Sequence, residues 1–170
     1  MKRTTIAAVS LVALVFVAPL RWAQPHDDKE RAELAQALKD GKISLQQGVT
    51  ASGKEGKPIS AKYEVEDGKL QLSVYTMKGD AFSEVIVDHK TGKISKSEPI
   101  TGGDDLTAAK KQAEAMGKAK HTLADVIAGA EKSHPGFHAV SIMPEIEDGA
   151  AQADVTLLKG STSKQIEQPL

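Results

Sequence analysis

The chain contains no cysteine and few aromatic residues, with one Trp, two Tyr and three Phe in 170 residues. The absence of cysteine excludes disulfides, thiolate-bound zinc, iron–sulfur clusters and a thiol nucleophile. Because the single Trp22 lies near the N-terminus, the core of the remaining chain must be mainly aliphatic. An excess of positive charge is also missing, since 22 Lys and Arg face 23 Asp and Glu. Nucleic acid is therefore not expected as a partner, because phosphate binding requires a basic surface.

The first 23 residues resemble a secretory signal. Lys2 and Arg3 precede an uncharged, mostly apolar run, Ile6–Leu20, which is short for a membrane-spanning helix. We predict that residues 1–23 are a signal peptide and that the protein is periplasmic or otherwise exported. Cleavage after Ala23 would leave Arg21 where a small residue is preferred, so an uncleaved anchor is the alternative, and only then would the chain contact the membrane. Removing this segment takes away three cations and leaves a net charge near −4.

The most informative pattern in the rest of the chain is an internal repeat. Asp27–Ile94 returns in degraded form as Asp105–Leu170. The helical parts align with a shift of 78 residues, which places Ser44 on Thr122, and the hairpins align with a shift of 81. We predict two units, residues 27–96 and 104–170, joined by a connector at residues 97–103. A lone unit of this size would bury little apolar surface, so the two are expected to pack together.

Each unit begins with a helical pattern. Apolar residues of the first unit lie at helical spacing, at Leu34, Leu38, Leu45 and Val49. The second unit has a similar stripe at Ala109, Ala113, Met116, Leu123, Ile127 and Ala130, with lysines outside it at Lys110, Lys111, Lys118 and Lys120. Acid pairs at Asp27-Asp28 and Asp104-Asp105 suit helix N-termini, and Ser44 and Thr122 suit N-caps. Each pattern fits either one bent helix or two consecutive helices.

After the helices the hydrophobic period becomes alternating, which indicates strands. In the first unit, alternating apolar residues flank the turn Asp67-Gly68, and the second unit repeats this around Asp148-Gly149. A further turn at Gly79, repeated at Gly160, leads into a third strand. The predicted fold class is α+β: two helix-plus-three-stranded antiparallel meander units packed together, with six strands and the helices on one face of each meander. One continuous sheet and two separate sheets both fit the sequence.

The segment Ile43–Ile94 resembles a PepSY domain. The family closes its strands with an acidic-x-x-Thr-Gly turn, which here is Asp88-His89-Lys90-Thr91-Gly92. The second unit carries a similar His134-Pro135-Gly136 breaker, but Leu170 comes before any equivalent of the closing turn. PepSY domains occur in propeptides of thermolysin-like metallopeptidases and in bacterial envelope proteins. The resemblance therefore implies a protein that restrains a protease or regulates it in another way, without catalytic residues or a cofactor.

Three sequence patterns bear on whether the chain carries a chemical site. His134 and His138 are four residues apart, a spacing that suits a metal on a helix, but Pro135 and Gly136 break the helical geometry. A metal site of His134, His138 and Glu145 is therefore the weaker alternative to surface histidines. The chain has no Gly-x-Ser-x-Gly elbow, and Val87 stands where a phosphate-binding loop ending at Lys93 would need glycine.

Taken together, these features favour an exported, non-enzymatic protein that binds an envelope protein such as a peptidase. We expect no catalytic residues, cofactor or resident metal. The predicted contact surfaces are exposed strand edges, where unpaired backbone groups can accept a partner strand, and the loops Gly56–Ile59 and His134–Phe137. A periplasmic small-ligand or metal-binding module and an envelope scaffold are the alternatives.

Overall fold

The computed structural model describes residues 28–170, so the predicted signal peptide and Asp27 lie outside the described residues. The helices of this part are α1 (Asp28–Ala37), α2 (Leu45–Ser52), α3 (Gly103–Lys118) and α4 (Leu123–Ser133), with a short 3-10 helix, Leu38–Asp40, after α1. The strands are β1 (Lys57–Glu66), β2 (Lys69–Lys78), β3 (Ala81–Val87), β4 (Ile94–Ile100), β5 (His138–Glu147), β6 (Ala150–Lys159) and β7 (Thr162–Pro169). The sequence left open whether each half has one bent helix or two consecutive helices, and the structure has two α-helices in each half.

All seven strands form one antiparallel sheet in the order β4-β3-β2-β1-β5-β6-β7. The two halves of the chain meet at its centre, where β1 pairs with β5 through Ala61 opposite Ile142 and Lys62 opposite Ser141. An α+β fold with an antiparallel sheet is therefore confirmed. The question of one sheet or two, which the sequence left open, is answered by this central pairing.

The predicted connector at residues 97–103 is wrong, because residues 97–100 belong to β4 and Gly103 is the first residue of α3. The described chain has seven strands rather than six. Pro99, Gly102 and Gly103 indicated an irregular segment, but proline is tolerated on an edge strand, whose outer side has no ladder to break. β4 is such an edge strand, paired only with β3.

Helix starts and hairpin turns follow local sequence signals. Ser44 and Thr122 each form a capping box, with Gln47 and Asp125 respectively, so both predicted N-caps are confirmed. Asp67 and Asp148, at the two Asp-Gly turns, both have a φ of 49°, and the following glycines also have positive φ. Such left-handed conformations are what a two-residue hairpin turn requires. The bulges in β1 and β5 also fall 81 residues apart.

Helices cover both faces of the sheet, so the predicted single covered face is wrong. Tyr63 and Ser60 of β1 lie on opposite faces because side chains alternate along a strand. The Tyr63 hydroxyl donates to the Ile43 carbonyl just before α2 (2.8 Å), whereas Ser60 Oγ donates to Gln112 Oε1 of α3 (2.7 Å). Burial raises the pKa of Tyr63 to about 12, so its hydroxyl stays protonated and remains a donor.

The remaining two helices complete these layers. α4 packs beside α2, and Gln46 Nε2 donates to the Ala124 carbonyl across the two helices (3.1 Å). Arg31 Nη1 of α1 donates to Ser163 Oγ of β7 (3.0 Å). The cross-strand pairing from β1 through β5 and β6 to β7 places Ser163 on the same face of the sheet as Ser60. The sheet is thus sandwiched between α2 with α4 on one face and α1 with α3 on the other. Amphipathic period alone does not reveal which face of a sheet a helix covers.

α2 approaches the sheet closely at Gly48. A Cβ at this position would lie 2.4 Å from Leu72 Cδ2, and Leu72 is fully buried. At the corresponding positions of the second half stand Val126 and Ala153, a larger helix residue and a smaller strand residue. The first half therefore combines a small helix residue with a large strand residue, and the second half combines a larger helix residue with a small strand residue.

We expect Gly48→Ala to lower the free energy of unfolding by about 1–3 kcal/mol, because the added methyl overpacks a filled site. Urea denaturation measures the change. The matched control is Gly129→Ala in α4, where a Cβ meets nothing within 4 Å and the change should stabilise by up to about 1 kcal/mol. In a double-mutant cycle, Gly48→Val and Leu72→Ala should together cost less than the sum of the single changes. Equal effects at Gly48 and Gly129 would contradict this packing.

Candidate functional site

The five histidines of the chain lie far apart in sequence, except for His134 and His138. His26 lies outside the described residues, His89 lies in the turn after β3, and His121 lies before α4. His134 ends α4, where its Nδ1 lies 3.0 Å from the Ala130 carbonyl. His138 and Glu145 lie near opposite ends of β5, about 23 Å apart at the usual rise per strand residue. The structure does not bring the proposed metal trio together, and residues 28–170 contain no group of three or more metal-ligating side chains.

The acid pairs lie in first helical turns, where they complement the helix dipole. Asp28 opens α1 and pairs with Arg31. Asp104 and Asp105 lie in the first turn of α3, whose N-cap is Gly102 and has no side-chain cap. These acids therefore act within the helices, while Ser44 and Thr122 perform the capping.

The closing turn, Asp88–Gly92, is a compact hydrogen-bonded unit. Asp88 Oδ1 accepts from the backbone N–H groups of Lys90 (2.9 Å) and Thr91 (2.7 Å) and from the Thr91 hydroxyl (3.0 Å). These bonds to the ionised form hold the pKa of Asp88 below its usual value. Gly92 supplies the positive φ of 73° that lets the chain return into β4. The acidic-x-x-Thr-Gly pattern thus has a direct structural cause.

This turn also binds the segment Lys42–Ile43, which leads into α2. The carbonyl of His89 accepts from Lys42 N (2.8 Å) and Ile43 N (3.3 Å). Gly92 lies against Ile43, whose side chain would lie 3.7 Å from a Cβ placed there. The closing turn therefore positions the segment before α2, and its described contacts are internal to the fold.

The two edges of the described sheet are β4 and β7. β4 carries Pro99 within the strand and a Lys96–Glu98 ion pair (2.7 Å), features that discourage strand addition. β7 has a proline only at its last position, Pro169. β7 is therefore the edge better suited to accept another strand.

The outward backbone groups of β7 follow from its pairing with β6. Leu170 N donates to the Ala151 carbonyl (3.1 Å), and in an antiparallel ladder the residues bonded to the neighbouring strand alternate with those pointing away. Ser163, Gln165 and Glu167 then present their N–H and C=O groups away from β6. The row available along the sheet edge is that of Ser163 and Gln165, because the Glu167 carbonyl already accepts from Gln168 Nε2 (2.8 Å).

The two predicted contact loops are more ordered than expected. Lys57, Pro58 and Ile59 belong to β1, and Ile59 is fully buried, so Gly56–Ile59 is not a free loop. In His134–Phe137, the half-buried Phe137 ring lies 5.8 Å from Lys159 Nζ and 5.0 Å from Lys164 Nζ. The first segment is thus mostly strand, and in the second Phe137 lies against two lysines while Pro135 and Gly136 remain exposed.

A groove that sequence reasoning missed lies between α2, the start of β1 and the loop from α3 to α4. Its volume is about 410 Å³, and its lining is mostly apolar, with Val49, Met116 and Leu123 at its base. Lys57 and His121 are among its polar lining residues. The sequence signal for the groove is the presence of Gly53 and Pro58 where the second half has Glu131 and Ala139. This difference can be interpreted only when the fold shows α2, α4 and β1 side by side.

Comparisons with known proteins give little further guidance. No protein-family profile matches the chain, and no curated protein matches its sequence. A crystal structure described as a "putative lipoprotein" from Clostridium difficile 630 aligns with a TM-score of 0.42 and 14% identity, covering 76% of this chain and 88% of that one. The described residues contain no helix that is long and apolar enough to span a membrane.

We expect Asp88→Ala to lower the melting temperature at neutral pH, because the three bonds to Asp88 Oδ1 are lost. The pKa of Asp88 is lower in the folded state, so its stabilisation is present above the unfolded pKa and disappears as the pH falls through the folded one. Thermal unfolding of the two proteins between pH 7 and about pH 2 should therefore show a gap that narrows in acid. The control is Asp80→Ala, an exposed acid in the β2–β3 turn. A pH-independent gap would refute the ionised-turn explanation.

Proposed function

We propose that this chain is an exported, non-enzymatic binding protein of two PepSY-like units, which binds and restrains an envelope protein such as a peptidase. The single observation that carries the binding role is the outward pair of backbone donors and acceptors on β7, at Ser163 and Gln165. An extended segment of a partner that pairs with this row would satisfy these groups by strand addition.

The duplication is supported by features that recur in both halves. The capping boxes at Ser44 and Thr122 are 78 residues apart, and the left-handed turn residues Asp67 and Asp148 are 81 apart. Ala61 and Ile142, which correspond under the same shift, face one another in the central pairing. This is the geometry of two related units around a local two-fold axis, as in a homodimer interface.

The PepSY assignment and export rest on separate grounds. The hydrogen-bonded turn at Asp88–Gly92 gives the family-like closing pattern a physical basis, and the family connects the chain with peptidase regulation. The charged and apolar pattern of residues 1–23 supports export, with an uncleaved anchor as the alternative. Both features agree with a protein that acts in the bacterial envelope.

The experiment is crosslinked capture from the native envelope with a tagged protein and a variant of the β7 edge. Gln165→Pro removes an outward N–H at an edge position where proline is sterically tolerated. Gln165→Ala is the matched control, because it also loses the side-chain bond to Asp154 Oδ2 (3.3 Å) but keeps the backbone N–H. We expect one reproducible partner with the original protein and Gln165→Ala, and its loss with Gln165→Pro at an unchanged melting temperature.

Addition of the protein to a captured peptidase should lower that peptidase's activity. Capture of the same partner by Gln165→Pro at full yield would contradict binding at β7. Recovery of the tagged protein alone, in repeated experiments with the original protein and with Gln165→Ala, would contradict the partner hypothesis and favour an envelope scaffold.

A further inference from the structure

The groove beside α2 differs between the two halves of the fold in one decisive respect. In the second half, Glu131 of α4 fills the corresponding place, because its Oε1 accepts from Ala139 N (2.8 Å). In the first half these positions are Gly53, which has no side chain, and Pro58, which has no N–H to offer. The groove is open because both members of that closing contact are absent.

The charged side chains that line this groove include two lysines, and Thr50 and Thr122 add neutral polar groups. Lys57, Lys120 and His121 line it, and none of its lining residues is Asp or Glu. This is a local departure from a chain whose formal net charge is −1. The groove therefore suits a negatively charged ligand.

Lys57 is held in place at the groove. Its Nζ donates to the Met116 carbonyl in the last turn of α3 (2.8 Å), where carbonyl groups favour a cation. An ammonium group has three donor hydrogens, so two remain for another acceptor. A ligand carboxylate near Lys57 would meet a preformed charged donor while its apolar part lies over Val49 and Leu123.

We infer that this groove binds a small amphipathic carboxylate, with its carboxylate at Lys57 and its alkyl chain along the base of the groove. Three properties support this ligand class: an apolar base, a lining with two lysines and no acid, and a volume of about 410 Å³, within the usual range for small-molecule sites. The site is separate from β7, so it stands whether or not β7 binds a partner.

The test is a titration of the full protein with sodium decanoate below its micelle concentration, followed by amide NMR. We expect saturable shifts at Gly53, Ala119 and His121. Decyltrimethylammonium, which has the same chain and the opposite charge, and acetate, which has the charge without the chain, should not produce them. Equal shifts with either probe, or none with decanoate, would overturn the proposal.

Two variants locate the ligand. Gly53→Leu should abolish the saturable shifts, because Gly53 lines the groove and its backbone is right-handed helical, so a leucine side chain there would occupy the groove. The one close contact of the added Cβ is with the Thr50 carbonyl, at 3.3 Å, which requires a small local adjustment. Gly129→Leu makes the same change on open surface of α4 and should leave binding intact. Lys57→Met should weaken binding by about tenfold to a hundredfold, the loss expected for one hydrogen bond to a charged group. Unchanged affinity in Gly53→Leu, with its melting temperature maintained, would place decanoate elsewhere and refute the site.

Discussion

The pairing of β1 with β5 is the interaction on which the rest of the structure depends. It joins two small helix-and-strand halves into one sheet, although only Ala61 and Lys62 pair with their partners in β5. Such a short ladder needs support, which helices provide on both faces. Gln46 of α2 bonds to α4 on one face, and Gln112 of α3 bonds to Ser60 of β1 on the other. Both halves therefore bury more apolar surface together than either would bury alone.

The pairing of β1 with β5 also determines which surfaces remain available for binding. With β1 and β5 at the centre, β4 and β7 become the sheet edges, and these two edges differ in their protection. β4 is guarded by Pro99 and a salt bridge, whereas β7 presents a regular row of backbone groups. The groove beside α2 is a second consequence, since it forms where the first half approaches the loop between α3 and α4. One architectural pairing thus sets the position of both candidate sites.

Features determined by a few neighbouring residues could be predicted from the sequence. Ser44 and Thr122 cap helices and the Asp-Gly pairs turn hairpins, because these conformations depend on local hydrogen bonds and on φ. β4 was missed because Pro99 and the glycines after it break local strand rules that an edge strand escapes. The layer of each helix was missed because an apolar stripe packs equally well on either face of a sheet. The groove depends on Gly53 and Pro58 facing a loop about 65 residues away in the chain, a proximity that only the fold creates.

The most direct measurement is hydrogen–deuterium exchange of the protein alone and in complex with its crosslink-identified envelope partner. Strand addition predicts that the amides of Ser163 and Gln165 exchange rapidly in the free protein and become protected in the complex, while those of β4 change little. Unchanged exchange along β7, with protection at another surface, would contradict strand addition as the mode of binding.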